Sequence, residues 1–317
     1  MERNSEKPFV LAVVGPTASG KTAMGIRLAK ELDGEIISAD SMQIYKGMDI
    51  ATAKPTAEEM QGVPHHLIDF LDRNVVFSVA DYVSLANEKI AEVLSIGKLP
   101  IIVGGTGLYI SSLLDNIKFS ESRNDDEYRK ELTEYAEKYG NEALHARLAE
   151  IDEEGAAEIH PNNVVRVIRA LEICRFTGKK FSEVKREGRE TESRYDSIIL
   201  GLTYSDRQML YDRINKRVDI MAENGLVEES RQVWLESGLK TASNAIGYKE
   251  LIPYFENKAS LEECIDKIKQ ETRRYAKRQL TWFRRDEQIW WILLDEIDKT
   301  EKILEKCKKY IANRKKI

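Results

Sequence analysis

The sequence has few cysteines and no long apolar run, and both absences narrow the class of protein. The three cysteines are far apart in the 317-residue chain and show no Cys-x-x-Cys spacing: Cys174, Cys264 and Cys307. This pattern argues against a disulfide framework and a structural zinc site, and it fits a reducing compartment. The longest apolar runs, 9–14 and 289–294, have the length of strands, whereas a membrane-spanning helix needs about 20 residues. Because the N-terminal residues also lack a signal-peptide pattern, we expect a cytoplasmic protein.

The chain also lacks an excess of positive charge. It contains 49 Lys and Arg against 54 Asp and Glu, which gives a net charge of −5 and excludes a general polyanion binder. The charge is unevenly distributed, because segment 269–285 is +6 and the remainder is therefore −11. The basic residues of this segment are Lys269, Arg273, Arg274, Lys277, Arg278, Arg284 and Arg285. Such a local excess of basic residues favours contact with a nucleic acid.

The order of apolar and amphipathic segments predicts an α/β fold. Runs at 9–14, 36–38, 99–103 and 197–202 predict strands, and helical patterns lie between the first three of them. This alternation indicates a parallel sheet flanked by helices. Segment 121–196 has helical spacing and no convincing strand. We therefore interpret 121–196 as a helical insert in a core built from 1–120 and 197–317, whose last part is mostly helical.

The strongest motif follows the first predicted strand. The residues Gly15, Pro16, Thr17, Ala18, Ser19, Gly20, Lys21 and Thr22 fit G-x-x-x-x-G-K-[ST] completely. Backbone amides, the following helix N-terminus and Lys21 favour a bound polyphosphate, and the Thr22 hydroxyl is a candidate Mg²⁺ ligand. The motif by itself does not identify the polyphosphate as ATP.

Other candidate residues follow the second and third strands. Asp40 lies at the end of the second strand, where topology allows a metal ligand, a general base or a turn cap. A second glycine-rich turn, 104–107, brings the Thr106 hydroxyl to the same edge. No acidic residue follows this third strand, which argues against an ordinary ATPase. His65-His66 lacks metal-ligand spacing and indicates a loop or packing role.

Two helical segments carry candidate anion-binding residues. In 211–225, Arg213 and Arg217 stand one turn apart beside an apolar face, where they either pair with carboxylates or reach a diphosphate or nucleic acid. In 269–285, the aromatic residues Tyr275, Trp282 and Phe283 suit either an RNA-stacking surface or a helix face turned to the core.

These motifs together resemble the tRNA dimethylallyltransferase family over almost the whole chain. The matching segments are 15–22, Asp40 to Ile50 with Thr52 to Pro55, 64–69, 103–109, 160–162 with Arg166 and Arg169 to Glu172, 245–250, and 275–284. Two departures from the family pattern are Val165, where Gln is usual, and Ala51, where Gly is usual.

The resemblance implies a reaction and a set of site residues. Dimethylallyl diphosphate would bind the 15–22 loop with Mg²⁺ at Thr22, and Arg213 or Arg217 would stabilise the leaving diphosphate. Asp40 would deprotonate N6 of the adenosine 3′ of the anticodon, and Thr106 would help to position the reacting groups. Ser41, Met42 and Gln43 would surround the flipped base. The implied tRNA contacts are Asp40, Ser41, Met42, Gln43, Thr106, Arg166, Arg169, Arg273, Arg274, Lys277, Arg278 and Arg284, with the anticodon stem-loop held between insert and core.

Three alternatives remain at this stage. A P-loop kinase would share the loop, Mg²⁺ and Asp40, although the basic aromatic segment would have no role in it. A non-catalytic RNA-binding protein would keep the loop as a vestige. Transfer to a free adenine nucleotide would leave the insert and the basic segment unused.

Overall fold

The computed structural model describes residues 7–118, 125–189, 192–236, 245–297 and 299–315. Six parallel strands form one sheet: β1 (Phe9–Val14), β2 (Gly34–Ala39), β3 (His65–His66), β4 (Leu99–Gly104), β5 (Asp196–Thr203) and β6 (Ile289–Leu293). The helices are α1 (Lys21–Glu31), α2 (Ala57–Met60), α3 (Val79–Ser95), α4 (Gly107–Leu114), α5 (Asp126–Tyr139), α6 (Asn141–Ile151), α7 (Glu153–Ala157), α8 (Val164–Thr177), α9 (Phe181–Arg189), α10 (Arg207–Glu223), α11 (Leu226–Leu235), α12 (Ile252–Phe255), α13 (Leu261–Phe283) and α14 (Thr300–Lys315). The predicted α/β class with a P-loop-type core, a parallel sheet and a helical insert is confirmed.

The sheet has the order β3-β2-β4-β1-β5-β6, and β1 lies at its centre between β4 and β5. Val10, Ala12 and Val14 face one apolar cluster with α3 and α4, whereas Leu11 and Val13 face another with α1 and α14. All five of these side chains are buried, because helices cover both faces of the sheet. The carboxyl ends of the strands meet at one edge, where a doubly wound fold places its ligands.

Two strands differ from the sequence interpretation. His65–His66 forms a short edge strand beside β2 rather than a loop, and His66 Nε2 lies 2.7 Å from the Glu35 carboxylate. Ile289–Leu293 pairs with β5 in a region that the sequence indicates as mostly helical. The sequence did not indicate β3 because two residues are too few to show a periodic pattern. It did not indicate β6 because this short apolar run follows a long helix.

The chain divides into two compact units. One unit comprises Met1–Leu114 and Arg194–Ile317, and the other comprises Asp115–Ser193. The second unit has its own apolar core, in which Leu132, Leu144, Leu148 and Val167 are almost completely buried. It contains helices α5 to α9 and, among its described residues, no strand.

None of the described helices combines the length and the apolar character that crossing a lipid bilayer requires.

Candidate active site

The phosphate loop connects β1 to α1 in a conformation that requires glycine. Gly15 has a φ of +143°, and a Cβ there would lie 2.3 Å from the Leu202 carbonyl oxygen. Gly20, with a φ of 84°, occupies the N-cap position of α1, where no side chain caps the helix among the described residues. The first N–H groups of α1 are therefore available to an anion, as the sequence motif predicts.

The Lys21 side chain contacts the backbone of the phosphate loop. Its Nζ donates a hydrogen bond of 2.8 Å to the Pro16 carbonyl oxygen. Burial and the neighbouring Arg217, opposed by Asp40, lower the pKa of Lys21 to about 8. Without an anion, Lys21 therefore keeps its positive charge below about pH 8 and loses it above that pH.

Asp40 lies at the end of β2, and its carboxylate organises the turn that follows. Oδ1 accepts the backbone N–H of Met42 at 2.9 Å and that of Gln43 at 3.3 Å. Turn capping, one of the alternatives for this residue, is thus confirmed for Oδ1. Within the described part of the chain no donor contacts Oδ2, which leaves this oxygen for a metal or a substrate.

Thr106 supports the same turn from the end of β4. Its Oγ1 accepts the Ser41 backbone N–H at 3.0 Å and donates to Ser41 Oγ at 3.3 Å. At Gly104, a Cβ would lie 2.1 Å from the Ala39 carbonyl oxygen, so only glycine allows the two strand ends to approach this closely. Thr106 therefore acts on Asp40 through the turn that contains Ser41.

Gln279 is a site residue that sequence reasoning missed. It lies on α13, is 5% exposed and connects the two glycine-rich turns. Its Oε1 accepts the Thr17 backbone N–H at 2.8 Å, and its Nε2 donates to the Gly105 carbonyl oxygen at 2.9 Å. A Cβ at Gly105 would lie 2.2 Å from this Nε2. The glycine at position 105 is a signal of close contact, but the sequence does not identify the partner.

The two arginines of α10 occupy different environments. Arg213 Nε donates to the Ala18 carbonyl oxygen at 3.0 Å, so this side chain supports the phosphate loop from outside. Arg217 is half-buried and lines the same cavity as Lys21 and Asp40. Burial lowers the pKa of Arg217, and Asp40 opposes this effect. The geometry thus favours Arg217 as the arginine that contacts a ligand in this cavity.

A cavity of about 300 Å³ brings these groups together. Its polar lining includes Thr17, Lys21, Thr22, Asp40, Ser41, Gln43, Thr52, Arg217, Thr272, Tyr275, Arg278 and Gln279. Its apolar lining comes chiefly from Met42, Ile214, Val218, Met221, Leu226, Ile246 and Ile268. Charged groups for a polyphosphate and apolar surface for a hydrocarbon therefore share one cavity.

A second group that the sequence did not reveal holds one wall of the cavity. The Glu229 carboxylate on α11 accepts the backbone N–H groups of Asp49 and Ile50 at 2.8 Å each and that of Ala51 at 3.0 Å. The Tyr248 hydroxyl donates to the same carboxylate at 2.8 Å. Glu229 thereby fixes the loop that contains Ala51, one of the two departures from the family pattern.

The basic segment of α13 is only partly free to bind a ligand. Lys269 pairs with Asp219 at 2.7 Å, Arg273 donates to Asn215 Oδ1 at 2.5 Å, and Arg274 pairs with Glu271 at 2.6 Å. Lys277, Arg278, Arg284 and Arg285 are exposed. The exposed positive charge is therefore concentrated in the second half of the segment.

The aromatic residues of this segment do not form one stacking surface. Phe283 is 2% exposed within the core, which confirms the alternative that it faces inward. Trp282 Nε1 donates to Ser111 Oγ at 3.1 Å, and its ring lies where a Cβ at Gly107 would be. Tyr275 lines the cavity, and burial raises the pKa of its hydroxyl.

The two arginines predicted from the insert differ in their surroundings. Arg166 is exposed near the N-terminus of α8, beside Val165, which is 81% exposed. Arg169 donates to the buried Glu172 at 3.4 Å, and Glu172 also accepts Arg129 at 2.6 Å. Arg169 therefore also contributes to the interior of its own unit.

The residues beside the phosphate loop fit a magnesium ion that arrives with its substrate. Mg²⁺ is usually held by one or two carboxylates together with substrate phosphates and water. The Thr22 hydroxyl and the Asp40 carboxylate both line the cavity, which meets this requirement. Across the described ranges, no cluster of three or more His, Cys, Asp or Glu residues could hold a metal on its own.

Fold and cavity together define an enzyme with a P-loop NTPase-like core, in which a phosphorylated substrate would lie beside a carboxylate. Comparison with known proteins then identifies the family. Residues 43–286 match the family model described as IPP transferase. Over 301 residues the chain is 50% identical to a tRNA dimethylallyltransferase of Halalkalibacterium halodurans, covering 94% of this chain and 95% of that protein. It is 53% identical over 289 residues to that of Bacillus subtilis, covering 91% of each.

Solved structures give the same result. The full-length tRNA isopentenylpyrophosphate transferase from Bacillus halodurans matches with a TM-score of 0.73 and 47% identity, covering 97% of this chain and 96% of that one. A eukaryotic dimethylallyltransferase acting on tRNA matches with a TM-score of 0.80 and 29% identity, covering 96% and 80%. The chain therefore belongs to the IPP transferase family of tRNA dimethylallyltransferases and is a prenyltransferase. The resemblance found in the sequence is confirmed.

Proposed function

We propose that this enzyme transfers a dimethylallyl group from dimethylallyl diphosphate to N6 of the adenosine immediately 3′ of the anticodon in tRNA. The observation that carries the proposal is the shared cavity, in which Lys21, Arg217 and Asp40 lie together with apolar side chains. A diphosphate needs the cationic groups, a five-carbon allyl group needs the apolar surface, and an amine nucleophile needs the carboxylate.

The phosphate loop and the cations of the cavity stabilise the leaving group. Negative charge grows on the diphosphate as the bond between its oxygen and the allylic carbon breaks. Backbone N–H groups at the start of α1, together with Lys21 and Arg217, are aimed at this charge. When bound at Thr22, Mg²⁺ would neutralise further diphosphate charge. Arg213 has an indirect role, because it supports the Ala18 carbonyl of the loop.

Asp40 is the proposed general base. The N6 lone pair forms the new bond to the allylic carbon, and one N6 proton passes to the Asp40 carboxylate. Oδ1 is held by two backbone N–H groups, so Oδ2 is the oxygen available for this proton. Thr106, through Ser41, keeps the turn and hence the carboxylate in place.

The RNA is the second substrate, and its adenosine must leave the loop stack to enter the cavity. We assign its phosphates to the exposed cations Lys277 and Arg278 of α13, to Arg284 directly after this helix, and to Arg166 of the insert. Arg273, Arg274 and Arg169 make contacts within the protein and are weaker candidates for this role. Ser41, Met42 and Gln43 line the cavity where the base would lie.

The decisive experiment measures transfer of labelled dimethylallyl groups to bulk tRNA. We expect transfer by the wild type and a fall of about 10²- to 10⁴-fold in rate for Asp40→Asn, because proton removal from N6 is lost. Binding of tRNA should largely persist in this variant. The matched control is Glu287→Gln, which removes an exposed carboxylate outside the cavity and should keep the wild-type rate.

Two results would contradict the proposal. Equal rates for the wild type and Asp40→Asn would exclude the general base. Micromolar binding of ATP without binding of dimethylallyl diphosphate would instead support the kinase alternative. Comparing AMP with an anticodon stem-loop as acceptor tests the remaining alternative, and we expect transfer to the stem-loop only.

A further inference from the structure

The Gln43 side chain is locked in one orientation by its neighbours. Its Nε2 donates to the Thr52 carbonyl oxygen at 3.0 Å and to the Ala53 carbonyl oxygen at 3.1 Å. Only the amide nitrogen can donate to two carbonyl groups, so chemistry alone fixes which end of the amide faces this loop. Both N–H bonds are consumed, and Oε1 is the only polar atom that Gln43 can offer to a ligand in the cavity it lines.

Asp40 presents the same kind of group from the same turn. Its Oδ1 is held by the backbone N–H groups of Met42 and Gln43. Throughout the described residues, no donor contacts Asp40 Oδ2 or Gln43 Oε1. The turn therefore offers two hydrogen-bond acceptors and no side-chain donor from these two residues.

The loop that locks Gln43 is itself held rigidly. The Glu229 carboxylate binds three successive N–H groups, from Asp49 to Ala51, directly before Thr52 and Ala53. Thr52 Oγ1 also donates to the Met48 carbonyl oxygen at 2.6 Å. The two carbonyl groups that face Gln43 are therefore fixed before a substrate binds, so the amide has no partner for a reversed orientation.

A pair of acceptors matches a group that carries two N–H bonds. We propose that Gln43 Oε1 accepts one N–H of the exocyclic amine of the acceptor base while Asp40 takes the other, so that Gln43 selects an amino purine over an oxo purine. This inference rests on the proposed function, because it concerns the base that enters the same cavity. It makes Gln43 a specificity-determining residue.

An oxo purine would be rejected for a physical reason. In hypoxanthine, an acceptor oxygen replaces the amine and would face Asp40 Oδ2 and Gln43 Oε1. No hydrogen lies between these three acceptor oxygens, so all three lack a hydrogen bond once water is excluded. Loss of these hydrogen bonds gives strong discrimination between the two bases. Unsubstituted purine lacks both groups and should lie between adenine and hypoxanthine.

The test uses three anticodon stem-loops that differ only in the target nucleoside: adenosine, purine riboside or inosine. Binding is measured on the full-length enzyme without a prenyl donor, so it does not depend on catalysis. We expect affinity in the order adenosine, purine riboside, inosine, with adenosine preferred over inosine by about tenfold or more. Equal affinity of the wild type for adenosine and inosine would overturn the inference without the use of any variant.

Two variants distinguish selection of the base by Gln43 from ordering of the loop that contains Thr52 and Ala53. Gln43→Leu should reduce the ratio of adenosine to inosine affinity by about three- to tenfold. Glu229→Gln loosens the same loop but keeps the Gln43 oxygen, so it should weaken both complexes by a similar factor and preserve the ratio. The role of Gln43 would be overturned if Gln43→Leu kept the wild-type ratio of adenosine to inosine affinity. It would also be overturned if only Glu229→Gln lowered this ratio.

Transfer assays on the wild type distinguish this inference from the proposed function. Normal transfer to the adenosine stem-loop together with an unchanged ratio in Gln43→Leu would refute the inference alone. Absence of transfer to any RNA would refute the proposed function and the inference with it.

Discussion

Lys21 is half-buried, and the charge of its ammonium group depends on the ligand beside it. Its pKa of about 8 without a ligand is below the usual Lys value because of burial and the neighbouring Arg217. A bound diphosphate adds negative charge and must raise this pKa. Below pH 8 the ligand-free group is already protonated, and above pH 8 it gains a proton when the diphosphate binds.

This proton uptake can be measured. We expect dimethylallyl diphosphate binding to take up a proton at pH 9 and hardly any at pH 7, so affinity should fall by up to about tenfold per pH unit above pH 8. Calorimetry in buffers of different ionisation enthalpy reports the proton directly. Lys21→Met is the control and should abolish the uptake; persistent uptake in this variant would assign the proton elsewhere.

Gln279 links two loops through two hydrogen bonds, and its removal leaves both backbone groups without a partner. We expect Gln279→Leu to lower the free energy of unfolding by about 1–3 kcal/mol. It should also raise KM for dimethylallyl diphosphate more than KM for tRNA, because the phosphate loop loses its support. Urea denaturation and steady-state kinetics measure the two effects.

The control for this residue lies on the same helix. Gln270 accepts a bond from Lys267 at the surface, and Gln270→Leu should change stability by less than about 0.5 kcal/mol. If Gln279→Leu also altered both KM values equally, its role would be general folding rather than support of the phosphate loop.

At the scale of residues, the sequence was informative where a motif has a fixed local geometry. The phosphate loop and Asp40 could be placed because each follows a predicted strand of a parallel sheet. Gln279 and Glu229 could not, because their partners are 262 and about 180 residues away in the chain. An uncharged amide on a basic helix and a carboxylate on a surface helix resemble many side chains with no such role.

Among the elements, α13 combines internal and external functions along its length. Lys269 pairs with Asp219 of α10, whereas Lys277 is exposed. We expect Lys277→Ala to weaken tRNA binding and to reduce the slope of log affinity against log salt by about 0.7 to 0.9. Fluorescence titration at several salt concentrations measures both quantities.

Lys269→Ala is the matched control, since it removes the same charge from the same helix. It should leave the salt slope unchanged and lower stability slightly, because its carboxylate partner is on the protein. A larger loss of salt slope in Lys269→Ala than in Lys277→Ala would show that the RNA approaches the other half of the helix.

The prediction of elements from sequence succeeded where a period was long enough to recognise. Helix α3, predicted at 79–96, spans Val79–Ser95, and α10 buries Leu210, Ile214 and Val218 as its apolar face predicts. Strand β3 was not predicted, because its two residues are too few to show a periodic pattern. Charge counting along α13 was right about the bias but could not identify which cations have partners on α10.

At the scale of the whole molecule, the insert, Asp115–Ser193, forms a compact unit of its own. The two chain segments at its ends approach each other, because the Lys118 N–H donates to the Gly188 carbonyl oxygen and Asn116 Nδ2 donates to that of Glu192, each at 3.0 Å. A short Gly-Ser linker can therefore replace residues 116–192 without pulling the core apart.

This deletion tests the assignment of the insert to RNA binding. The shortened enzyme should fold and bind dimethylallyl diphosphate with an affinity within about threefold of the wild type, because the cavity residues lie outside the deletion. Its affinity for an anticodon stem-loop should fall by about tenfold or more as phosphate contacts are lost. Unchanged RNA affinity would limit the RNA surface to the core.

The position of β1 at the centre of the sheet has a consequence for biosynthesis. The first strand to leave the ribosome is flanked by β4 and β5, which are translated about 90 and 190 residues later. The phosphate loop emerges early, whereas Gln279, which braces it, is among the last residues to appear. A nascent chain therefore carries an incomplete catalytic centre for most of its synthesis, and it can become active only when the C-terminal helices have been released.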